Sequence, residues 1–316
     1  MYRAGPPAIA AVRAGTRTRS LPVRLVATSD REFRGTERDY GPEAHTYLGA
    51  VAAGYGVTYD RDLLAGRRAT SLTDMALPLL RDAEALGSGP GPAGGAGPAG
   101  RIGHILLAHA APDCDAHLSA ACHLAYVAHG DPLVFSLSDQ GTTVPFSAVR
   151  LMAEYLGRAD GERGLVLVLD PGVLPWAVPP GTPTADRDTA VGLLLEPADP
   201  SDGLLLCQAA VPSAAAAQEV LTAHLAEVRA RFGGPVTLVA GDRLVSPAVS
   251  AAVDERVDGD VVGRVCTSVW SVLHELTAAD AGRTPGPGHG AGAVVVAAFD
   301  PDLGYVCALA TPKARR

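Results

Sequence analysis

Three short polar stretches hold the residues in this chain best suited to chemistry. The first is Ser-Asp-Gln-Gly-Thr-Thr at 138–143, set between an apolar run and a segment with helical spacing. Asp139 is a candidate general base, Gln140 a candidate oxyanion donor, and Thr142 and Thr143 offer hydroxyls. A threonine hydroxyl is a weak nucleophile unless a base takes its proton, and a helix terminus alone does not close that gap. The same residue types cap helices and turn chains, so capping competes with catalysis at Asp139 and Thr142. Gly141 has no side chain; it serves a backbone with positive φ, or leaves room for a ligand beside the helix start.

The second stretch is Gly241-Asp242-Arg243, directly after the apolar run 236–240. Asp242 could take a proton from an amine, hydroxyl or water while Arg243 orients a carboxylate or phosphate; the alternative is an ion pair on a surface turn. The third is Cys266-Thr267-Ser268, between an apolar segment and a helical one. A helix start favours thiolate at Cys266, whereas burial would make it an inert apolar filler. His289, in Gly-Pro-Gly-His-Gly-Ala-Gly at 286–292, is an acid–base candidate or a solvated loop histidine. His104, His109, His117, His123 and His129 lie near Asp113, Cys114, Asp115 and Cys122, but none of the histidines has HxxxH spacing, so no metal site is expected. His109 and Asp113 fall at a strand end, where they could border an active-site entrance.

The elements that must hold these residues follow from apolar periodicity. Short apolar strands alternate with helical segments: strand 105–108, helix 117–128, strand 133–137, helix 145–156, strand 165–169. A second cycle has strands 192–195 and 204–207, helix 214–232, strand 236–240, helix 247–255, strand 263–266, a helix to 276, and a closing hairpin of 293–298 with 305–310. Such alternation predicts an α/β fold with helices on both faces of mostly parallel sheets. Upstream, 23–28 reads as a β-branched strand followed by a polar segment through Tyr40. Ser71 with Asp74 is a capping pair that opens a helix with a kink at Pro78, ending at Gly87. Residues 1–20 are expected to be disordered, and the Gly/Pro-rich stretch 87–103 to form a flexible loop.

Composition limits the partners. The chain has 316 residues, 47% of them hydrophobic, a net charge of −8 and pI near 5.6. That balance offers no basic patch for nucleic acid. No run approaches the roughly 20 apolar residues of a membrane span, and the Arg-bearing start lacks a signal-peptide core, so a cytoplasmic location is expected. The five cysteines show no disulfide or zinc-knuckle spacing.

Several segments together resemble the type III ketoacyl-acyl carrier protein synthases of the thiolase superfamily. They are LLAHAAPD at 106–113, FSLSDQGTTVPFSAVRLMAEYL at 135–156, GLVLVLD at 164–170, DRDTAVGLLLEP at 186–197, CTSVWSVLHEL at 266–276 and GPGHGAGAVVV at 286–296. The resemblance runs in order over about residues 70–310 and is poor over 1–69. It implies a thiolase-like αβαβα layered fold built from two similar halves, here 21–185 and 186–316. It also implies a homodimer and a substrate that is an acyl-CoA or a phosphopantetheine thioester on an acyl or peptidyl carrier protein, with no bound cofactor. The family's nucleophilic cysteine falls on Gly141, its histidine on the 241–243 turn, and its asparagine on Cys266, so ordinary decarboxylative condensation is not expected. Two functions remain open. One is an acyltransferase that moves an acyl group directly to an amine, hydroxyl or water in specialised metabolism, with Asp139, Thr142, Asp242, Cys266 and His289 as catalytic candidates and Gln140, Gly141, Thr143, Arg243, Thr267 and Ser268 as substrate contacts. The other is an inactive ketosynthase-like chain that pairs with an active ketosynthase or binds a carrier protein.

Overall fold

A computed structural model describes residues 17–37, 40–54, 56–64, 66–87, 100–158, 161–174, 176–177, 187–261, 264–281 and 292–313. Along the chain come β1 (Arg17–Leu21), β2 (Val23–Phe33), β3 (Thr36–Glu37), α1 (Pro42–Gly54), β4 (Arg68–Ala69), α2 (Leu72–Gly87), β5 (Ile102–His109), α3 (Ala120–Val127), β6 (Leu133–Leu137), α4 (Val144–Leu156), β7 (Arg163–Asp170) and β8 (Asp188–Pro197). They are followed by β9 (Leu204–Ala210), α5 (Ala214–Phe232), β10 (Val236–Ala240), α6 (Pro247–Ala251), β11 (Glu255–Asp258), α7 (Ser268–Ala281), β12 (Ala293–Asp300) and β13 (Tyr305–Pro312).

Two mixed sheets repeat one topology. The first runs β2-β8-β7-β5-β6 and the second β9-β13-β12-β10-β11, with β1 added outside β9. In each, the last three strands are mutually parallel and the first two pair antiparallel. Alternation along the strands divides the core. Ile105, Leu107, Leu165 and Leu167 face α2 and α3, whereas Leu106, Ala108, Val166 and Val168 face α4 and α7. Leu238 and Val295 face α5 on the far side of the second sheet. The result is five layers, with α4 and α7 sandwiched between the sheets. Phe146 of α4 meets Trp270 of α7 there, ring centroids 5.0 Å apart. Burial on both faces explains why β7 reads as an unbroken apolar run.

The local signals work as their chemistry requires. Asp74 N–H donates to Ser71 Oγ (3.1 Å), and the Ser71 hydroxyl returns a bond to the Asp74 carboxylate (2.8 Å), which fixes the start of α2. Ser213 caps α5 by accepting from Ala216 N–H.

Three expectations need correction. Of residues 1–20, expected to be disordered, 1–16 lie outside the described residues and 17–20 belong to strand β1, whose partner β9 lies some 190 residues on. Composition carries no trace of such a distant partner. Of the strand expected at 263–266, residue 263 lies outside the described residues and 264–266 form no strand; the edge strand is β11 at Glu255–Asp258, starting at the last residue of what read as a helix, and Val265–Thr267 are bent around a carboxylate, as described below. The polar segment through Tyr40 holds the rest of an 11-residue β2, and α1 follows. Of the Gly/Pro-rich stretch, 88–99 lies outside the described residues.

Candidate functional site

The chain leaves β6 through a tight elbow. Asp139 has φ +65° and Gly141 φ +51°, and a single 3-10 turn over Gly141–Thr143 leads into α4. The Thr143 hydroxyl and amide both donate to the Gln140 carbonyl, at 2.8 and 3.1 Å. Asp139 is exposed and accepts from the Ser138 hydroxyl (3.0 Å), while the buried Thr142 hydroxyl oxygen has no hydrogen-bond partner among the described residues. Positive φ accounts for glycine at 141, and space gives a second reason. A Cβ placed there would lie 1.8 Å from Oδ2 of Asp300.

Asp300, the last residue of β12, is buried and held in place. Its Oδ2 accepts from the Thr142 amide (3.1 Å), and its Oδ1 accepts from the amides of Asp302 and Leu303 (3.1 Å each). The space a side chain at 141 would need is therefore occupied by a carboxylate, which also takes up the Thr142 amide of the turn leading into α4.

Cys266 lies against the same elbow. Its sulfur donates to the Gly141 carbonyl oxygen (3.4 Å) and also meets the Ala110 backbone amide. The buried Asp170 at the end of β7 accepts from the amides of Val265 (2.8 Å), Cys266 (2.9 Å) and Thr267 (2.8 Å) and from the Thr267 hydroxyl (2.8 Å). Thr267 Oγ1 also pairs with Thr189 Oγ1 (2.8 Å). Cys266 is 1% exposed, and burial, reinforced by the Asp170 charge, pushes its thiol well above the ordinary range. The helix start that could have favoured a thiolate is already neutralised by a carboxylate.

The structure brings Asp139, Gln140, Gly141, Thr142, Thr143, Cys266 and Thr267 to one place. Ser268 is close in sequence but is engaged elsewhere: its hydroxyl donates to the Gly259 carbonyl and accepts from the Val261 amide (2.8 Å). The Asp242 side chain is 83% exposed and paired with Arg256 at 2.5 Å. Exposed Arg243 uses its carbonyl to accept from Gln218. His289 lies outside the described residues.

Three residues escaped the sequence reading as site elements or were only touched on. Asp170 and Asp300 gave no signal beyond ending apolar strands. His109 ends β5, and its Nδ1 lies 2.8 Å from the Ala111 carbonyl oxygen. Burial lowers its pKa, while the hydrogen bond to Ala111 and the Asp139 charge oppose that shift. Of the other clustered histidines, His104 lies 3.6 Å from Glu162 and His129 3.0 Å from Glu84. Among the described residues no group of three or more His, Cys, Asp or Glu could hold a metal ion, and no helix is long and apolar enough to cross a membrane.

No family model matches the sequence, and no curated protein does. Solved structures do match. ChlB3, described as an acyltransferase, is 18% identical over 92% of this chain and 97% of its own, with a TM-score of 0.57. The 3-oxoacyl-(acyl carrier protein) synthase III, FabH, from Pseudomonas aeruginosa PAO1 is 15% identical over 93% of this chain and 100% of its own, at 0.58. AbyA1, a tetronic acid condensing enzyme, is 13% identical over 92% and 100%, at 0.57. At these identities the likeness is one of fold.

Proposed function

From the premise that the chain has the thiolase-like fold of the type III ketoacyl synthases, we propose that it is an acyltransferase that works without an acyl-enzyme at the elbow. It takes an acyl group from a CoA or carrier-protein thioester and passes it directly to an amine, hydroxyl or water, as a step of specialised metabolism in the cytoplasm. The observation that carries this reading is the Asp300 carboxylate in the space of a residue-141 side chain, anchored by three amides. A covalent route needs a nucleophile there. Direct transfer needs only two bound substrates in register and a local base. Cys266 does not replace the missing thiol, because it is buried and held protonated beside Asp170. Asp242, paired with Arg256 at the surface, and the exposed Arg243 have no part in the transfer.

One observation favours a second reading, a non-catalytic partner of an active ketosynthase. Edge strand β6 exposes Leu133 (49%), neighbouring α3 exposes Tyr126 (88%) and Val127, and the segment before α3 exposes Leu118. An unpaired apolar edge is a template for another chain. In a homodimer the same edge would serve a second copy.

The test is incubation of purified protein with acyl-CoA and acyl-carrier thioesters of several chain lengths plus amine and alcohol acceptors, followed by product analysis and intact-protein mass spectrometry. Turnover without an adduct is expected. An acyl adduct on Cys266 or Thr142 would overturn the direct route. Inertness, together with stable association with a ketosynthase that a Leu133→Lys substitution abolishes, would establish the partner role instead.

A further inference from the structure

We propose that His109 is the general base of the transfer and that Asp139 is the positioning residue that stabilises its protonated form; the assignment rests on the direct-transfer reading above. Placement comes first. Ala108 of β5 stands opposite Leu137 of β6 in a parallel register, so His109 and Asp139 leave the same edge of the sheet. That edge, at the carboxyl ends of parallel strands, is where α/β sheets bind ligands. Ala110, the next residue, meets the Cys266 sulfur, which in turn meets the Gly141 carbonyl. The strand end that carries His109 is thereby packed against the elbow.

The ring's protonation state follows from its contact. A carbonyl oxygen can only accept, so Nδ1, 2.8 Å from Ala111 O, carries the proton and Nε2 keeps the lone pair. Burial keeps the resting ring neutral, and the Asp139 charge favours the imidazolium that forms during reaction. Asp139 holds φ +65°, a region non-glycine residues seldom enter; such outliers gather at functional sites. Its exposed carboxylate is oriented by the Ser138 hydroxyl.

The reaction balances without a further reagent. The acceptor's N–H or O–H gives its proton to His109 Nε2 as its heteroatom bonds to the thioester carbonyl carbon. The tetrahedral intermediate then expels the thiolate as the C–S bond breaks, and the imidazolium returns the proton to sulfur. An acyl amide, ester or acid and a free thiol result.

The experiment uses the full chain with hexanoyl-CoA, with water, butylamine or glycerol as acceptor, and measures released CoA. His109→Asn keeps a donor for Ala111 but removes the base. It should lower kcat about 100-fold or more with KM changed less than about threefold. His109→Ala should be equally slow and should regain rate with added imidazole, a rescue that a purely structural histidine would not show. Asp139→Asn, suited to the same φ, should lower kcat about tenfold and leave KM unchanged. If His109→Asn does not fold, the imidazole response of His109→Ala decides. Wild-type turnover with His109→Asn retaining a rate within threefold overturns the assignment and leaves direct transfer standing; a wild type inert toward every thioester overturns both.

Discussion

Restoring a cysteine at position 141 should be harmful alone and tolerable once Asp300 is removed. In Gly141→Cys the new Cβ would sit 1.8 Å from Asp300 Oδ2, so the carboxylate must swing away from the Thr142 amide. A buried amide left without an acceptor costs about 1–3 kcal/mol. An L-residue at φ +51° adds about 1–2 kcal/mol. Together these predict a loss of roughly 2–5 kcal/mol for Gly141→Cys. Asp300→Ala removes the acceptor but leaves the Asp302 and Leu303 amides in a turn that water can reach, for a loss of about 1–3 kcal/mol. In the double variant the collision is gone, so it should be more stable than the sum of the singles by about 1–3 kcal/mol. Urea unfolding of all four proteins at pH 7.5 measures this coupling. Additivity to within about 0.5 kcal/mol would show that Asp300 does not occupy the side-chain space of residue 141 and would remove the main support for a non-covalent route. Only the double variant should gain an acyl adduct at residue 141 with hexanoyl-CoA, read by intact mass.

Three further outcomes are expected. Asp170→Asn keeps one acceptor oxygen for four donors and should cost about 2–4 kcal/mol, read by urea unfolding; a change under about 0.5 kcal/mol would mean the Val265–Thr267 turn does not depend on that carboxylate. Iodoacetamide should label exposed Cys122 in the native protein and spare Cys266, Cys207 and Cys307, the last two thiols pushed up to about 11 and about 12 by burial; native labelling of Cys266 would contradict its burial. His224, on the buried face of α5, is fully buried with neither ring nitrogen bonded among the described residues, and burial lowers its pKa from 6.5 to about 4. The unfolded chain therefore binds the extra proton first, so this contribution to stability is steady above pH 6.5, falls as pH drops toward 4, and amounts to about 2 kcal/mol lost by pH 5. His224→Leu should remove that part of the pH dependence, and an unchanged slope between pH 7 and pH 5 would refute the assignment.

What the sequence shows and what it hides divide along the range of the interactions. Helix α4 is legible because its apolar residues recur at a period that one helix imposes on itself, and β7 because burial on both faces demands an apolar run. The elbow is legible as a glycine in a polar turn before a helix. The reason for the glycine is not, since the carboxylate that fills its side-chain space belongs to Asp300, 158 residues beyond the neighbouring Thr142 whose amide it accepts. Likewise Cys266 reads as a thiol at a helix start, and only the contact with Asp170, 96 residues earlier, turns that start from a thiolate-stabilising site into a neutralised one. Strand β1 hides for the same reason, because short polar segments become strands when a distant edge accepts them. Asp242 and Arg243 sit beside a strand end, as the sequence indicates, but the direction of a turn decides whether its side chains face a pocket or water.

Asp170 and Asp300 hold equivalent places in the two repeated sheets, each closing the strand that runs next to the sheet's antiparallel pair. Each reaches across to the other half. Asp170 binds the amides that open α7, and Asp300 binds the amide that opens α4. The two central helices, whose positive ends would be the natural places to stabilise a thiolate or an oxyanion, are thus both answered by carboxylates from the opposite repeat. One such contact could be a local accident of packing. Two at equivalent positions make the closure of the helix starts a property of the repeated architecture, so the transfer proposed above draws on groups outside the helix dipoles. The edge formed by His109 and Asp139 supplies such groups: a lone pair fixed on Nε2 by the Ala111 carbonyl and a nearby negative charge, neither of which depends on a helix terminus.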